Sequence, residues 1–466
     1  MLVLATCCLS LLVVAMDATI VNVALPAIRK DLDASLSGLQ WVIDAYTIVL
    51  ASFLMLGGAT ADRFGRRRVF QIGMLLFSAG SLLCSLSTSL GWLIAARVLQ
   101  ALGGCMLNPV AMSIIVHTFT DPREKAKAIG VWGAMSGISM ALGPVAGGAL
   151  TQHLGWHAIF WINVPIGLAA FALTARFVPE SRAIAVRRAD PVGQGLLLAL
   201  LGGLSFSLIE GRRAGGAVAV AAAALAVVAL AALLIYEPRR REPLLDLRFF
   251  RSIPFSSATA LAVTMFAVLG GFLFLNTLYL QEVRGYSPAG AGLCILPMAL
   301  AVLLVSPLSG RLVGARGARP SLLISGMATL IAGLMLTQLS AATPLPWLLL
   351  AYAVGGIGFG MVNAPITVAA VSGMPRAQAG LAAAIASTSR QVGTATGVAL
   401  AGALVGSRLA WSASTWSGFP AATHVVWWLD VGAGAVVLAL GLLSTGAWAR
   451  ASTERVAHLL QEPRTP

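Results

Sequence analysis

Two charged residues stand inside long apolar stretches of the sequence, where a charge is costly. Asp17 lies in MDATIVNVALP, and Arg97 lies in LIAARVLQALGG. A charge at membrane depth must meet a partner or a water-filled cavity, and an arginine cannot become neutral by losing its proton. Because a carboxylate opposite an arginine can exchange protons, the pair predicts a proton-coupling site. A structural ion pair, or an aspartate near a helix end beside a polar neighbour, is the alternative.

Polar residues near these two charges could complete such a site. Gln100 follows Arg97 by three residues, which places both side chains on one face of a helix. Thr19 and Asn22 follow Asp17 and could add hydrogen bonds to it. Asn22 and Gln100 are therefore further candidates for the coupling site.

Two more charges fall in or near apolar stretches, and each has two interpretations. Asp44, in WVIDAYT, stands in the outer third of its stretch. A coupling or cation-binding role and a solvated vestibule are both open for it. Arg390, in ASTSRQVG, is as easily explained by structural pairing as by a part in coupling.

The apolar stretches themselves predict an all-α integral membrane protein. The chain has 466 residues, of which 58% are hydrophobic and 10% charged, too little polar surface for a soluble protein of this size. A span needs about 20 apolar residues. Fourteen candidate spans satisfy this, near residues 1–25, 40–60, 69–88, 91–113, 127–151, 158–178, 190–209, 215–236, 256–281, 289–312, 319–340, 345–369, 378–406 and 425–449. The first is predicted as a helix rather than a cleaved signal, since it lacks a basic leading region.

The basic residues predict the orientation of these spans. The net charge of +14 could indicate a nucleic-acid partner, but most Lys and Arg fall in alternate loops, which are then cytoplasmic. These loops are 63–68, 123–127, 176–188, 239–251, 311–319 and the tail 450–464; the exceptions are Arg29, Lys30, Arg212, Arg213, Arg284 and Arg408. We therefore expect no nucleic acid partner and both termini inside. The excess of Arg over Lys indicates a GC-rich bacterial genome.

The segment GGATADRFGRRR, residues 57–68, predicts a basic turn between two spans. Its candidate latch residues are Gly58, Asp62, Arg63, Gly65 and Arg66. The glycines allow close helix approach, and an aspartate among arginines predicts a salt-bridged latch on the cytoplasmic side.

A weak internal repeat predicts two related halves. Residues 310–319, GRLVGARGAR, align with residues 58–67, but Gly314 stands where Asp62 does. Related halves are usual in alternating-access carriers. We predict a six-helix bundle at 1–180, an inserted helix pair with a basic linker at 181–252, a second six-helix bundle at 253–450 and a cytoplasmic tail at 451–466.

The fifth span carries GISMALGPVAGG, with Gly143, Pro144, Gly147 and Gly148 in a fixed order. Glycines let helices approach closely, and the proline removes one backbone hydrogen bond and bends the helix. Glycine alone is a weak signal, whereas the ordered G-P-x-x-G-G is much stronger.

Several absent patterns argue against an enzyme. No lysine is followed by Ser or Thr in a phosphate-binding G-K-[S/T], and the histidines show no metal-ligand spacing. The five cysteines lie within apolar stretches and are predicted to be packing residues. We expect no catalytic residues, no metal and no cofactor, and a proton gradient as the energy source.

The ordered motifs resemble a known family of transporters. The GGATADRFGRR turn, GPVAGG, WHAIFWINVPIG at 156–167 and GLAAAIASTSRQVG at 380–393 resemble the fourteen-spanner drug:proton antiporters of the major facilitator superfamily, which include multidrug and antibiotic-resistance exporters. The chain starts almost at its first span, without that family's leader, so we expect the true start upstream.

The resemblance implies a function and roles. It implies a major facilitator fold, proton coupling at Asp17 and Arg97, a latch at Asp62 and Arg66, and GPVAGG as an antiporter motif. The expected partners are a lipophilic drug or antibiotic, protons and the lipid bilayer of the bacterial cytoplasmic membrane, with a monomeric carrier. A metabolite exporter or importer on the same fold, or a non-transporting membrane sensor or scaffold, remains the alternative.

Overall fold

The computed structural model describes residues 2–182, 190–211, 215–240, 242–375, 378–409 and 415–461. Across these ranges all regular structure is helical. Residues 183–188, 212–213, 241 and 462–464, for which a membrane side was predicted above, lie outside them.

The helices follow one another along the chain with short connections. They are α1 (Leu2–Asp31), α2 (Leu36–Phe64), α3 (Arg66–Ser85), α4 (Leu90–Thr118), α5 (Pro122–Leu154), α6 (Ala158–Trp161), α7 (Asn163–Phe177), α8 (Pro191–Glu210), α9 (Gly216–Tyr236), α10 (Ile253–Leu278), α11 (Pro288–Arg316), α12 (Ala318–Leu336), α13 (Leu345–Val371), α14 (Ala379–Arg408), α15 (Thr415–Leu443) and α16 (Ala447–Gln461). Ser35 and Ser89 cap α2 and α4, since each hydroxyl accepts a hydrogen bond from the backbone N–H three residues on.

The all-α membrane fold is confirmed. In the described ranges, 13 helices are long and apolar enough to cross a membrane, with α6 and α7 forming one span. The predicted thirteenth span, α14, is 30 residues long but has the more polar middle STSRQ. The predicted total of fourteen spans is reached only if α14 is counted as a span because of its length.

The structure differs from the predicted spans at several places. The first span, predicted near residues 1–25, continues through Pro26 to Asp31. The predicted turn at 57–68 is helical except for Gly65. The sixth span is interrupted at Ile162. The last span is residues 415–443 rather than 425–449, and the predicted tail forms α16 as far as Gln461.

The chain divides into two compact units. The first comprises Met1–Leu198 with Tyr286–Leu293. In it, α4 packs against α3 and α2, α1 packs against α5, and α7 contacts α1 and α3. Phe70, Met74 and Phe77 of α3 belong to its buried core. The charged pair found in the sequence lies within this bundle.

The second unit comprises Ala199–Gly285 with Cys294–Pro466. Here α10 packs against α14, and α12 packs against α13 and α15. The amphipathic α16 docks on the start of α10, where Ser452 Oγ accepts a hydrogen bond from Ile253 N at 3.0 Å. The predicted six-helix, inserted-pair and six-helix division stays a prediction.

In each copy of the repeat, a single glycine connects two consecutive helices. Gly65 separates α2 from α3 with φ 112°, and Gly317 separates α11 from α12 with φ 77°. Both are conformations that residues with a side chain rarely adopt. These are the two glycines that the sequence alignment paired, so the connection has the same form in both units.

All five cysteines are buried and none forms a disulfide. Cys7 and Cys105 belong to the core of the first unit. The prediction that they are packing residues agrees with their position.

Candidate functional site

The structure brings Asp17, Arg97 and Gln100 together inside the first unit. Arg97 Nη1 donates to Asp17 Oδ2 at 2.5 Å and to Gln100 Oε1 at 2.6 Å. Gln100 Nε2 donates to Asp17 Oδ1 at 2.8 Å. At most 1% of any of the three residues is exposed. A buried carboxylate is therefore matched by a buried guanidinium and by an amide that bonds to both.

Two uncharged residues complete the cluster, and sequence reasoning missed both. Asn163 Nδ2 donates to Asp17 Oδ1 at 3.0 Å, and Ser81 Oγ accepts from Gln100 Nε2 at 2.7 Å. Asn163 is the first residue of α7, directly after the interruption at Ile162. Gly80 allows α3 to approach α4 at this depth, because a Cβ there would lie 2.6 Å from Gln100 Cα.

Aromatic rings and one carbonyl hold the guanidinium of Arg97. Its Cζ lies 4.1 Å from the centre of the Tyr46 ring and 5.7 Å from that of Phe160. Its Nε donates to the carbonyl of Val42 at 3.2 Å. The rings exclude water, and their π faces attract the cation. With Asp17 on α1, the site joins residues of α1, α2, α3, α4, α6 and α7.

Asp44 and Asn22 lie outside this network. Asp44 is fully buried in this structure, and neither carboxylate oxygen accepts a hydrogen bond from any described residue. Asn22 Nδ2 donates to the carbonyl of Ala18 within α1. Thr19 Oγ1 likewise donates to the Met16 carbonyl. Asn22 and Thr19 are therefore not partners of Asp17 in this structure.

Two glycines of GPVAGG, Gly143 and Gly147, lie against the helix that carries Asp17. A Cβ at Gly143 would lie 3.0 Å from Thr19 Cβ, and one at Gly147 would lie 2.6 Å from the Ile20 side chain. Pro144 and Gly148 are also buried in α5. Because these glycines lack a side chain, α5 packs closely on the turn after Asp17.

The predicted latch residues form an ion pair next to Gly65. Arg66 Nη2 lies 3.0 Å from Asp62 Oδ1, one helical turn away. Arg63 is exposed, with its Cζ 5.3 Å from the ring centre of Phe64. Gly58 faces Pro109 of α4, since a Cβ there would lie 3.6 Å from the proline Cβ.

Glu180, which the sequence interpretation did not single out, clamps this connection. Its carboxylate accepts from Arg67 N at 3.2 Å and lies 3.7 Å from Arg68 Nε. Arg66 N donates to the Ser181 carbonyl at 2.9 Å. The segment after α7 therefore holds the α2–α3 connection through backbone as well as side-chain contacts.

Arg390 lies in the second unit and makes contacts to uncharged groups. Its Nη2 donates to Thr367 Oγ1 of α13 at 2.8 Å. Its Cζ lies 5.8 Å from the ring centre of Phe266. Both interpretations of Arg390, a structural pairing and a part in coupling, stay predictions.

Comparison with known protein families shows to which family the chain belongs. Residues 7–398 match the model of the Major Facilitator Superfamily. The chain belongs to the major facilitator superfamily. It is therefore a multi-pass membrane protein of a transporter fold. The solved structure of an auto-inhibited POT family peptide transporter is similar over 95% of this chain and 96% of that one, with a TM-score of 0.69 and 18% identity, which supports the fold alone.

Curated relatives of this chain carry names that describe drug resistance. The multidrug resistance protein Stp of Mycobacterium tuberculosis is 37% identical over 87% of this chain and 75% of its own length. The tetracenomycin C resistance and export protein of Streptomyces glaucescens is 35% identical over 85% of this chain and 74% of its own length. The methylenomycin A resistance protein of Streptomyces coelicolor is 33% identical over 85% and 84%.

Proposed function

We propose that this member of the superfamily exports drugs or antibiotics in exchange for protons by alternating access. The names of its relatives support the substrate class. Proton coupling is supported by the buried pair of Asp17 and Arg97, whose charged atoms lie 2.5 Å apart within a membrane bundle. Burying two such charges costs desolvation free energy, and a bundle with only a structural role could avoid this cost by using apolar residues.

Protonation of Asp17 would act on the packing of the first unit. A neutral Asp17 loses its ion pair with Arg97, and the hydrogen bonds that the amides of Gln100 and Asn163 donate to it must rearrange. Because these side chains come from α1, α4 and α7, a change at one carboxylate alters contacts between several helices. Proton and drug affinities then influence each other reciprocally.

Asp44 is the second proton-exchanging group of the proposal. A buried carboxylate without a hydrogen-bond partner is costly when charged, and both oxygens of Asp44 are in that condition. Uptake and release of a proton there would change the charge of α2, the helix whose Val42 carbonyl holds Arg97.

We place the chain among the fourteen-spanner drug:proton antiporters, in the bacterial cytoplasmic membrane with both termini inside. It would act as a monomeric carrier and not as an enzyme, with the Asp62–Arg66 pair as a cytoplasmic latch. Each charge that moves through the membrane potential supplies about 2.3 kcal/mol per 100 mV, and a pH difference adds to this.

The deciding experiment measures efflux of a fluorescent lipophilic cation and of a neutral antibiotic from cells that express the chain. Both are measured with and without a protonophore, for the wild type, for Asp17→Asn and for Asp33→Asn. Asp33 is an exposed carboxylate just after the same helix, so its variant removes one charge without touching the cluster.

We expect efflux that the protonophore and Asp17→Asn abolish and that Asp33→Asn leaves unchanged. Efflux that continues in Asp17→Asn at the wild-type rate would remove Asp17 from the coupling mechanism. Membrane-inserted wild-type protein that exports none of a panel of antibiotics would refute drug export and favour a metabolite carrier or a sensor.

A further inference from the structure

The second unit contains a partly open apolar cavity with a single carboxylate in its wall. Residues of α10, α11, α12, α13 and α15 line it, among them Met265, Phe272, Met298, Tyr352, Phe359 and Asp430. Its volume is about 40 Å³. By the same measure one water molecule needs about 10–15 Å³, so the space suits a few waters or one small head group.

Asp430 is nearly buried and has no protein partner. Only 7% of it is exposed, and within the described part of the chain no group donates a hydrogen bond or forms an ion pair with it. A carboxylate without a partner in an apolar wall is costly when charged. This contrasts with Asp17, which accepts hydrogen bonds from three side chains. An entering cation would supply the missing partner.

The remaining wall is suited to an organic cation. Three aromatic rings, those of Phe272, Tyr352 and Phe359, face the cavity together with the thioethers of Met265 and Met298. The rings of Phe272 and Tyr352 meet edge to face with their centres 5.2 Å apart. Several aromatic rings around a small space are the arrangement that recognises methylated ammonium groups.

The orientation of Tyr352 is fixed from outside the cavity. Its hydroxyl donates to Asn276 Oδ1 of α10, so the ring rather than the hydroxyl is available to an occupant. Among the lining residues it is the only titratable group besides Asp430. The charged residues on the elements that pack against α15 are not in the wall; they are Glu282, Arg319, Arg390 and Arg408.

We propose that this cavity binds the ammonium head group of an organic cation, with Asp430 as the counter-ion and Phe272, Tyr352 and Phe359 as the aromatic cage. The binding stands on the geometry of the second unit; its use to recognise an exported substrate rests on the proposed function. The site predicts a preference for drugs that carry an alkylammonium group.

The test compares choline with 3,3-dimethylbutan-1-ol, which has the same shape but carbon in place of the charged nitrogen. Binding of each to the purified full-length protein in lipid nanodiscs is measured by calorimetry. We expect choline to bind at least about tenfold more tightly than its neutral counterpart, since a desolvated cation–π and ion-pair site favours the charge. Asp430→Asn should remove this preference, and Asp430→Glu should retain most of it.

Asp33→Asn is the matched control, because it removes an exposed carboxylate from the other unit. Equal affinities of the two probes for the wild type would overturn the proposal, and that comparison needs no variant to fold. Unchanged choline binding in correctly folded Asp430→Asn would also overturn it.

The two proposals of function fail in different ways. Asp430-dependent choline binding without protonophore-sensitive efflux would leave the head-group site and refute proton-coupled drug export. Protonophore-sensitive efflux in a protein that does not distinguish choline from its neutral counterpart would leave export and refute the site.

Discussion

Arg97 Nη1 lies 2.5 Å from Asp17 Oδ2, although 80 residues separate the two in the sequence. Both are among the least exposed residues of the chain. The bond therefore ties α1 to α4 at a depth where neither charge can be solvated by water. A change in the charge or position of one side chain therefore alters the electrostatic environment of the other.

This pair predicts a strong coupling in stability. Asp17→Asn or Arg97→Gln alone should lower the free energy of unfolding by about 3–5 kcal/mol, because each leaves a buried charge without its partner. The double variant should lose much less than the sum of the two. Thermal unfolding in detergent measures all four proteins. Strictly additive losses would show that the charges are stabilised independently.

Asp44→Asn, unlike Asp17→Asn, should not lower the stability of the protein. Neither oxygen of Asp44 accepts a hydrogen bond from a described residue, so the amide gives up no contact and removes a charge that is costly to bury. We expect an unfolding temperature equal to or above that of the wild type, together with impaired proton-driven efflux. A large loss of stability would mean that the carboxylate has a partner, such as an ordered water.

Gly143→Ala should weaken the packing of α5 on α1, since the new methyl group would meet Thr19. Overpacking of this kind costs about 1–3 kcal/mol. Thr19→Ala in the same chain should restore part of the loss by removing the obstructing atoms. Gly130→Ala is the control in the same helix, because nothing lies within 4 Å of its added Cβ. Equal effects at both glycines would contradict the packing argument.

Gly65→Ala should cost more than Gly317→Ala. Both glycines have positive φ, and the strain for a residue with a side chain is about 1–2 kcal/mol. At Gly65 the added Cβ would also lie 2.6–2.9 Å from the Glu180 carboxyl group, whereas nothing lies within 4 Å at Gly317. In a Glu180→Ala background, which lacks the obstructing carboxyl group, Gly65→Ala should cost no more than Gly317→Ala. The unfolding temperatures of each glycine variant and of its parent protein check this order.

The sequence predicted the charged centre of the site better than its uncharged members. Asp17 and Arg97 stood out because a charge in an apolar stretch needs a partner, and helical spacing added Gln100. Ser81 and Asn163 carry no charge, so their burial gave no comparable signal. The interruption of the sixth span, which starts a helix at Asn163, was hidden in an apolar run with no glycine or proline before it.

Asp430 was missed because the last span was placed about ten residues too late. In the predicted span it stood near one end, where an aspartate is unremarkable. In the structure α15 runs from 415 to 443, so Asp430 falls in the middle. The run TWSGFPAATH contains Pro, Gly and hydroxyl residues, which are typical of loops, and tertiary packing overrides that preference.

The buried cysteines have a practical consequence for spectroscopy. Since Cys7, Cys8, Cys84, Cys105 and Cys294 are all buried, a thiol introduced at an exposed position such as Ala342→Cys would be the fastest to react with a maleimide. Fluorophores or spin labels can then be attached to the wild-type background, without first replacing residues that pack the bundles. Opening motions would become visible as delayed labelling of the native thiols.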